Sequence, residues 1–301
     1  MNTLKFMLKK AEYKAKVVRS FLVSDEAFHR RRLKRIYDFE PDFKRPLTLN
    51  EKICYRMIHD RNPLHTILAD KVKVREYVKN RTDLVMMTPV INIYDNTNEI
   101  NLNELPDRFV LKCNHDSGST IICRDKKHFN KIAAFKKLDL ALSKNMYYST
   151  RERHYKDIDK KIICEKYLHI ERLKDRYSSP EMLRVHCFNG VASFIEADFT
   201  DIEGNEFINV YDRNWRLQPF QMEYPNSPGN INEPAFFYNA LLAAQELARG
   251  IDYCRVDLML HNNGIFFSEI TLTPCRGKIT ITPVKWDYKL GEMWEQDIYY
   301  Q

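Results

Sequence analysis

Three stretches of the chain hold polar side chains at spacings that suit phosphate and metal chemistry. The sharpest is Arg255-Val-Asp-Leu-Met-Leu-His-Asn-Asn-Gly-Ile-Phe-Phe-Ser-Glu-Ile-Thr-Leu-Thr-Pro274, where Asn263-Gly264 between two apolar alternations is a strong turn signal. With a loop of 262–264, Asp257 faces Glu269 and Arg255 faces Thr271, all four on one sheet face with opposed Cβ atoms about 4.5–5.5 Å apart. Two carboxylates that close repel unless a cation bridges them or one keeps a proton. Val256, Leu258, Leu260, Phe266 and Ile270 take the other face and fix the register. A solvated acidic pair on an edge hairpin is the plainer alternative.

The second stretch is Phe109-Val-Leu-Lys-Cys-Asn-His-Asp-Ser-Gly-Ser-Thr-Ile-Ile-Cys123. Lys112 emerges from an apolar strand, and six residues on Gly118 stands among small polar residues. A short turn with backbone N–H groups and a lysine charge suits polyphosphate. An ordinary hairpin turn with a surface lysine fits the same residues. In the third stretch, Ile162-Ile-Cys-Glu-Lys-Tyr-Leu168, the apolar run stops at Glu165 and leads to a polar segment with Glu171. Such a strand end can offer backbone groups to an adenine edge and a carboxylate to a ribose hydroxyl. A core strand with a solvent-facing Glu is the simpler account.

The elements that must position these residues read as α+β. The first 80 residues are predicted helical: a basic helix from about Leu4, a second over 27–36, a third from Leu49 to His59 with Thr48 or Asn50 as cap, and another over Asp70–Lys79. From Val85 on, β-rich runs alternate with helices. Strands are predicted at 90–94, 109–113, 120–124, 161–167, 182–188, 191–199, 254–260 and 265–272, and helices at 129–142 and 233–249.

Composition narrows the partners. The net charge of +7 lies wholly in residues 1–45, which hold 13 Lys/Arg against 6 Asp/Glu. A nucleic-acid enzyme would more often spread its basic face over the folded body, so none is expected as a partner. The arm's Leu4, Phe6, Met7, Leu8, Tyr13, Val17, Val18, Phe21 and Leu22, set among lysines, can form a basic amphipathic helix for peripheral contact with an anionic membrane, or a helix packed on its own domain. No apolar run is long enough to span a bilayer and lysines interrupt any signal core, so a cytoplasmic protein is expected, peripheral at most to the inner membrane face. Seven cysteines without a Cys-x-x-Cys pair read as reduced core residues. With 8 glycines in 301 residues, any nucleotide site must use few of them.

In chain order, Asp70-Lys71 with Arg75, Lys112 with the 114–119 loop, Glu165-Lys-Tyr-Leu168, Arg255-Val-Asp257 and Glu269-Ile-Thr-Leu-Thr-Pro274 resemble the ATP-grasp superfamily. The Lys112-Cys-Asn-His-Asp-Ser-Gly run, Arg184-Val-His186, Tyr211-Asp-Arg-Asn-Trp215 and the Glu269-to-Pro274 ending are similar to its TupA-type branch, linked to teichuronopeptide and other surface-polysaccharide biosynthesis. The resemblance implies two α+β subdomains clamping ATP behind a helical N-terminal region. The domains would be 1–68, a helical arm; 69–168, with phosphate loop and adenine hinge; and 169–301, with the metal site.

Position by position, the resemblance has Lys71 and Lys112 contact phosphates, with His115, Ser117, Gly118 and Ser119 in the loop over them. Glu165, Lys166, Tyr167 and Leu168 frame adenine, and Glu171 meets the ribose. Asp257 and Glu269 hold Mg2+, and Arg255 steadies the transferring phosphoryl group. Thr271 stands where many members have a metal-binding Asn. Arg184, His186, Arg213 and Arg276 are candidate anchors for an acidic sugar or amino acid, since Arg matches carboxylates bidentately. The implied reaction is an ATP-dependent carboxylate–amine ligation through an acyl phosphate, joining an amino acid or other amine to a uronic-acid-bearing polysaccharide or its precursor. A kinase acting on a sugar hydroxyl and a non-catalytic glycan-binding protein are the alternatives.

Overall fold

In the computed structural model, which describes residues 3–37, 40–168, 180–200, 204–227, 229, 231–261 and 264–296, the chain divides into two units. The first gathers Met1–Arg31, Arg61–Arg75 and Thr88–His169; the second gathers Arg32–Asp60, Glu76–Met87 and Ile170–Gln301. Both combine helices with antiparallel pairing, the α+β arrangement expected from the alternating runs.

The first unit is built on a four-stranded antiparallel sheet in the order Val90–Tyr94, Ile162–Lys166, Phe109–Cys113, Ile121–Cys123. Alternation sorts its two faces. Phe109, Leu111, Cys113, Ile162 and Cys164 are fully buried against Leu138 of helix Lys131–Leu142. Val110, Lys112, Ile163 and Glu165 point the other way. Helix Pro63–Ala69, which the hydrophobic pattern does not announce, begins with an Asn62 cap and Pro63 in its first turn. The helix expected over Asp70–Lys79 is confined to Val74–Lys79. The Asp70 carboxylate accepts from Val72 N at 2.9 Å, and this local turn competes with helical hydrogen bonding.

The second unit contains a six-stranded sheet ordered Met86–Met87, Gly264–Thr271, Tyr253–His261, Met182–Phe188, Val191–Thr200, Glu206–Asp212. All its pairings are antiparallel except the first. Helix Phe237–Ala248 covers one face through Ala240, Ala243, Ala244 and Leu247, whose small size allows close approach to the strands. On the other face, helices Leu49–His59 and Lys285–Glu292 bury Leu49, Ile53, Met57 and Leu290 among Phe188, Phe194, Val210 and Tyr253. Helix Leu49–His59 starts where the sequence places it. Thr48 accepts from Glu51 N at 3.1 Å and Glu51 reaches back to Thr48 N, a capping box.

The late hairpin differs from expectation in its reversal and in the face that Phe266 takes. His261 pairs with Gly264, so the reversal is one residue tighter than a 262–264 loop; Asn262 and Asn263 lie outside the described residues. An extra residue, Ser268, then forms a bulge opposite Asp257–Leu258 and restores the register, so Asp257 faces Glu269 and Arg255 faces Thr271 as the spacing requires. Because of the bulge, Ile265 and Phe267 are buried with Leu258, while Phe266 shares the Met259 side and does not join the core.

Candidate functional site

In the second unit, strand pleating stacks charged residues from four neighbouring strands on one sheet face. Arg255 sits opposite His186, Asp257 opposite Arg184 and Glu269, and Arg184 opposite Glu196. This is the face whose far end, at Tyr253, Phe188 and Phe194, is sealed by the apolar cluster. The charged rows therefore run from this apolar cluster through buried His186, Glu196, Arg255 and Asp257 to the more exposed Arg184, Asp198 and Glu269.

Arg255 is the centre of this group. Its Nε and Nη2 donate to the two Asp257 oxygens at 2.7 Å each, a bidentate pair, and Nη1 lies 3.9 Å from Glu196 Oε1. Burial disfavours the Arg255 charge, yet Asp257 and Glu196 outweigh it and raise its pKa above the ordinary value. For Asp257 burial prevails over Arg255, with Glu269 adding to it, and the carboxyl is pushed up to about 6. Glu269 is exposed and accepts from Thr271 Oγ1 at 3.3 Å. An ionised carboxylate has about four acceptor positions, so Asp257 retains capacity beyond Arg255. Two carboxylates and a hydroxyl are hard oxygen donors of the kind Mg2+ takes. Among the described residues no group of three or more His, Cys, Asp or Glu could hold a metal ion by itself.

His186 is fully buried. Its Nε2 is 2.5 Å from Glu196 Oε1 and its Nδ1 3.0 Å from the Tyr253 hydroxyl, and its ring stacks on Phe194 at 4.1 Å. This residue, expected from the sequence as a substrate anchor, is thus enclosed by Glu196, Tyr253 and Phe194. Burial works against the Glu196 charge, but the His186 hydrogen bond and the flanking arginines bring it down to about 2. Arg184, partly exposed, spans Glu196 at 3.8 Å and pairs closely with Asp198, whose carboxyl burial pushes up to about 7. Arg213 is exposed in the turn after strand Glu206–Asp212, and Arg276 is half-buried in the turn after Pro274. Sequence reasoning passed over Glu196 and Asp198. Their signal is two acids at alternate positions in an otherwise apolar strand.

In the first unit the lysine strand carries a second group. Val110 pairs with Glu165, which brings Lys112, two residues on, diagonally across the same face. Lys112 Nζ lies 2.6 Å from Glu165 Oε2, and Arg75 Nη1 3.2 Å from Oε1. Arg75 is also held by the Thr88 carbonyl at 2.5 Å. The 114–119 loop is tied from beneath. Asn114 donates to Asp70 and to the Asp159 carbonyl, at 2.8 Å each. Ser119 Oγ accepts from Cys113 N at 2.8 Å and donates to Asp116 at 2.5 Å. His115 is buried with Nε2 3.2 Å from the Ala141 carbonyl, and burial lowers its pKa. Ser117 and Gly118 form the exposed tip, with Gly118 at φ 106, a conformation glycine takes without strain. Lys71 donates to the Asp116 carbonyl at the loop's base. Lys166 is exposed and Tyr167 and Leu168 half-buried after the strand; Glu171 lies outside the described residues.

Solved structures that this chain is similar to include D-alanine–D-alanine ligase from Bacillus anthracis complexed with ATP, 16% identical over 68% of this chain and 54% of that one, with TM-score 0.37. Others are the ATP-grasp ligase PsnB complexed with minimal precursor, 11% identical over 70% and 53% with TM-score 0.37, and phosphoribosylamine–glycine ligase from Thermotoga maritima, 12% identical over 69% and 48% with TM-score 0.37. The chain spans about half the length of the solved structures it matches. No curated protein matches it. The family model described as TupA-like ATPgrasp matches residues 51–295, which includes every described residue of both charged groups. The chain belongs to the TupA-like ATP-grasp family.

Proposed function

We propose that the protein is an ATP-dependent carboxylate–amine ligase acting through an acyl phosphate. The observation that carries this reading is the Arg255–Asp257–Glu269 arrangement, in which a buried arginine grips one carboxylate while the opposed carboxylate stands exposed on the same sheet face. Family membership supports it. Asp257 and Glu269, with Thr271 beside them, would hold Mg2+, which when bound neutralises phosphate charge. ATP is the phosphoryl donor.

In the first half-reaction a substrate carboxylate oxygen attacks the γ-phosphorus, the bond to the ADP oxygen breaks, and an acyl phosphate forms. An amine then attacks the acyl carbon; the carbon–oxygen bond to phosphate breaks, phosphate leaves and the amine gives up a proton. Little covalent work falls to the protein, so positioning and charge complementarity dominate. Lys112, oriented by Glu165, and Lys71 meet phosphate oxygens, and the Ser117–Gly118 tip offers short backbone approach to them. Arg255, kept cationic by its carboxylate neighbours, offsets charge on the transferring group. Arg184 is the anchor for an acidic substrate. We assign that substrate to a uronic-acid-bearing polysaccharide or its precursor, and the amine to an amino acid.

Hydroxylamine tests the chemistry directly. With ATP, Mg2+ and a uronic-acid glycan but no amino acid, hydroxylamine should capture the acyl phosphate as a hydroxamate, with one ADP released for each hydroxamate formed. ADP release with phosphorylated sugar and no hydroxamate would reject the ligase in favour of a kinase.

A further inference from the structure

Among the described residues of helix Thr3–Leu22, one side is half-buried and another apolar side is exposed. Tyr13, Val17 and Ser20 are its half-buried positions; the Tyr13 hydroxyl accepts from Asn145 N at 2.8 Å and its ring meets Tyr148 edge-on. On the opposite side Met7, Leu8, Val18 and Leu22 are 62, 61, 60 and 79% exposed, and at 100° per residue they fall within an arc of about 100°. Alanines at 11 and 15, also exposed, fill the stripe between them. Phe21, 79% exposed, extends it on the edge beside Lys14.

The flanks of the stripe are cationic. Lys10 and Lys14 border one side and Arg19 the other, while Lys16 pairs with the helix's one acid, Glu12, at 2.7 Å. The helix carries six Lys/Arg against one Glu. No described helix is long and apolar enough to cross a membrane. An apolar stripe rimmed by lysines whose stems can lie along the same surface matches a bilayer interface with anionic headgroups. We infer that this helix docks the protein in the plane of an anionic lipid surface, Met7, Val18, Phe21 and Leu22 entering the acyl boundary and Lys10, Lys14 and Arg19 meeting headgroup phosphates.

The experiment is co-sedimentation of the full chain with phosphatidylcholine vesicles, with and without phosphatidylglycerol. Binding should require the anionic lipid and weaken as salt is raised. The double variant Val18→Glu/Leu22→Glu should lose about tenfold or more of the binding while its thermal unfolding matches the unaltered chain. If that variant fails to fold, Lys10→Glu/Lys14→Glu carries the same expectation. Absence of binding, or equal binding to phosphatidylcholine alone, overturns the inference. So does self-association in sedimentation velocity that the Val18/Leu22 variant abolishes without any vesicle binding, which assigns the stripe to a second copy of the chain. Any of these failures leaves the ligase reading standing, since no residue of the helix belongs to the charged groups.

Discussion

At the scale of single residues, the carboxylates divide by whether their charge is already answered. Glu269 is exposed and accepts from the Thr271 hydroxyl, so Glu269→Gln should change folding stability by no more than about 0.5 kcal/mol. The same change should cut ATP turnover by about 10²-fold or more, the scale of several kcal/mol of lost charge stabilisation. Comparing denaturant midpoints with ADP release checks both halves, and normal turnover would remove Glu269 from the metal site. Asp198 and Glu196 sit two residues apart and titrate in opposite directions. Burial raises Asp198 from 3.8 to about 7, so between about pH 4 and 7 the unfolded chain has released this proton and the folded chain keeps it. Stability from this group is therefore full below about pH 4 and declines as pH rises towards 7. Glu196, brought down from 4.5 to about 2, contributes stability above about pH 4.5 that is lost as pH falls through 2. Asp198→Asn should flatten the decline between pH 4 and 7 and gain about 1–2 kcal/mol at neutral pH, a figure reduced from the full shift because the side chain is 21% exposed. Urea unfolding across that window reads it, and an unchanged slope would mean that Arg184 holds Asp198 ionised throughout.

At the scale of elements, what the sequence made legible was periodicity, and what it hid was insertion and close approach. Strands Val90–Tyr94, Phe109–Cys113 and Met182–Phe188 stand where alternation placed them, and Asp257 faces Glu269 as the hairpin spacing required. The tighter turn and the Ser268 bulge cancel one another in register, so the right pairing followed from a loop one residue too long. The trace of the bulge is nonetheless in the sequence. Buried positions run 265, 267, then 270, 272, a skip of one residue that strict alternation forbids. The arginine-linked acids of strand Val191–Thr200 were missed because an isolated alternating acid reads as a solvent face until the neighbouring strand supplies Arg184 and His186. Gly291 is a second hidden device. It lies inside helix Lys285–Glu292, where replacing glycine with alanine would ordinarily stabilise by about 1 kcal/mol. Here an added Cβ would run into the Leu47 carbonyl and the Thr48–Leu49 backbone at the start of the capped helix. Gly291→Ala should instead destabilise by about 3 kcal/mol, because neither backbone can withdraw without opening the capping box. A chevron or equilibrium denaturation series measures it, and a gain in stability would show that the two helices slide apart freely.

At the scale of the whole molecule, the chain does not assign its sheets to consecutive segments. Residues 32–60 fold with the second unit although more than a hundred residues separate them from its main strands. Helix Leu49–His59 brings Leu49, Ile53 and Met57, each fully or almost fully buried, onto the face that also carries Arg255. Arg56 from the same helix donates to the Tyr253 carbonyl at 2.7 Å and the Leu272 carbonyl at 2.9 Å, pairs with Asp252, and lies 4.4 Å over the Trp294 ring. The two strands that hold the proposed metal site are thus clamped at one end by a segment from the N-terminal fifth of the sequence. Removing three buried side chains costs about 2–5 kcal/mol each, which together reaches the whole stability of an ordinary domain. A fragment of residues 180–296 keeps all the strands of the main sheet except Met86–Met87, and also keeps Arg255, Asp257 and Glu269. Even so, it should show no cooperative thermal transition by circular dichroism, and should bind more of the apolar-surface dye ANS than the full chain does. A sharp transition in the fragment would mean that the strands hold their charged face unaided, and that helix Leu49–His59 contributes cover without being required for the site to form.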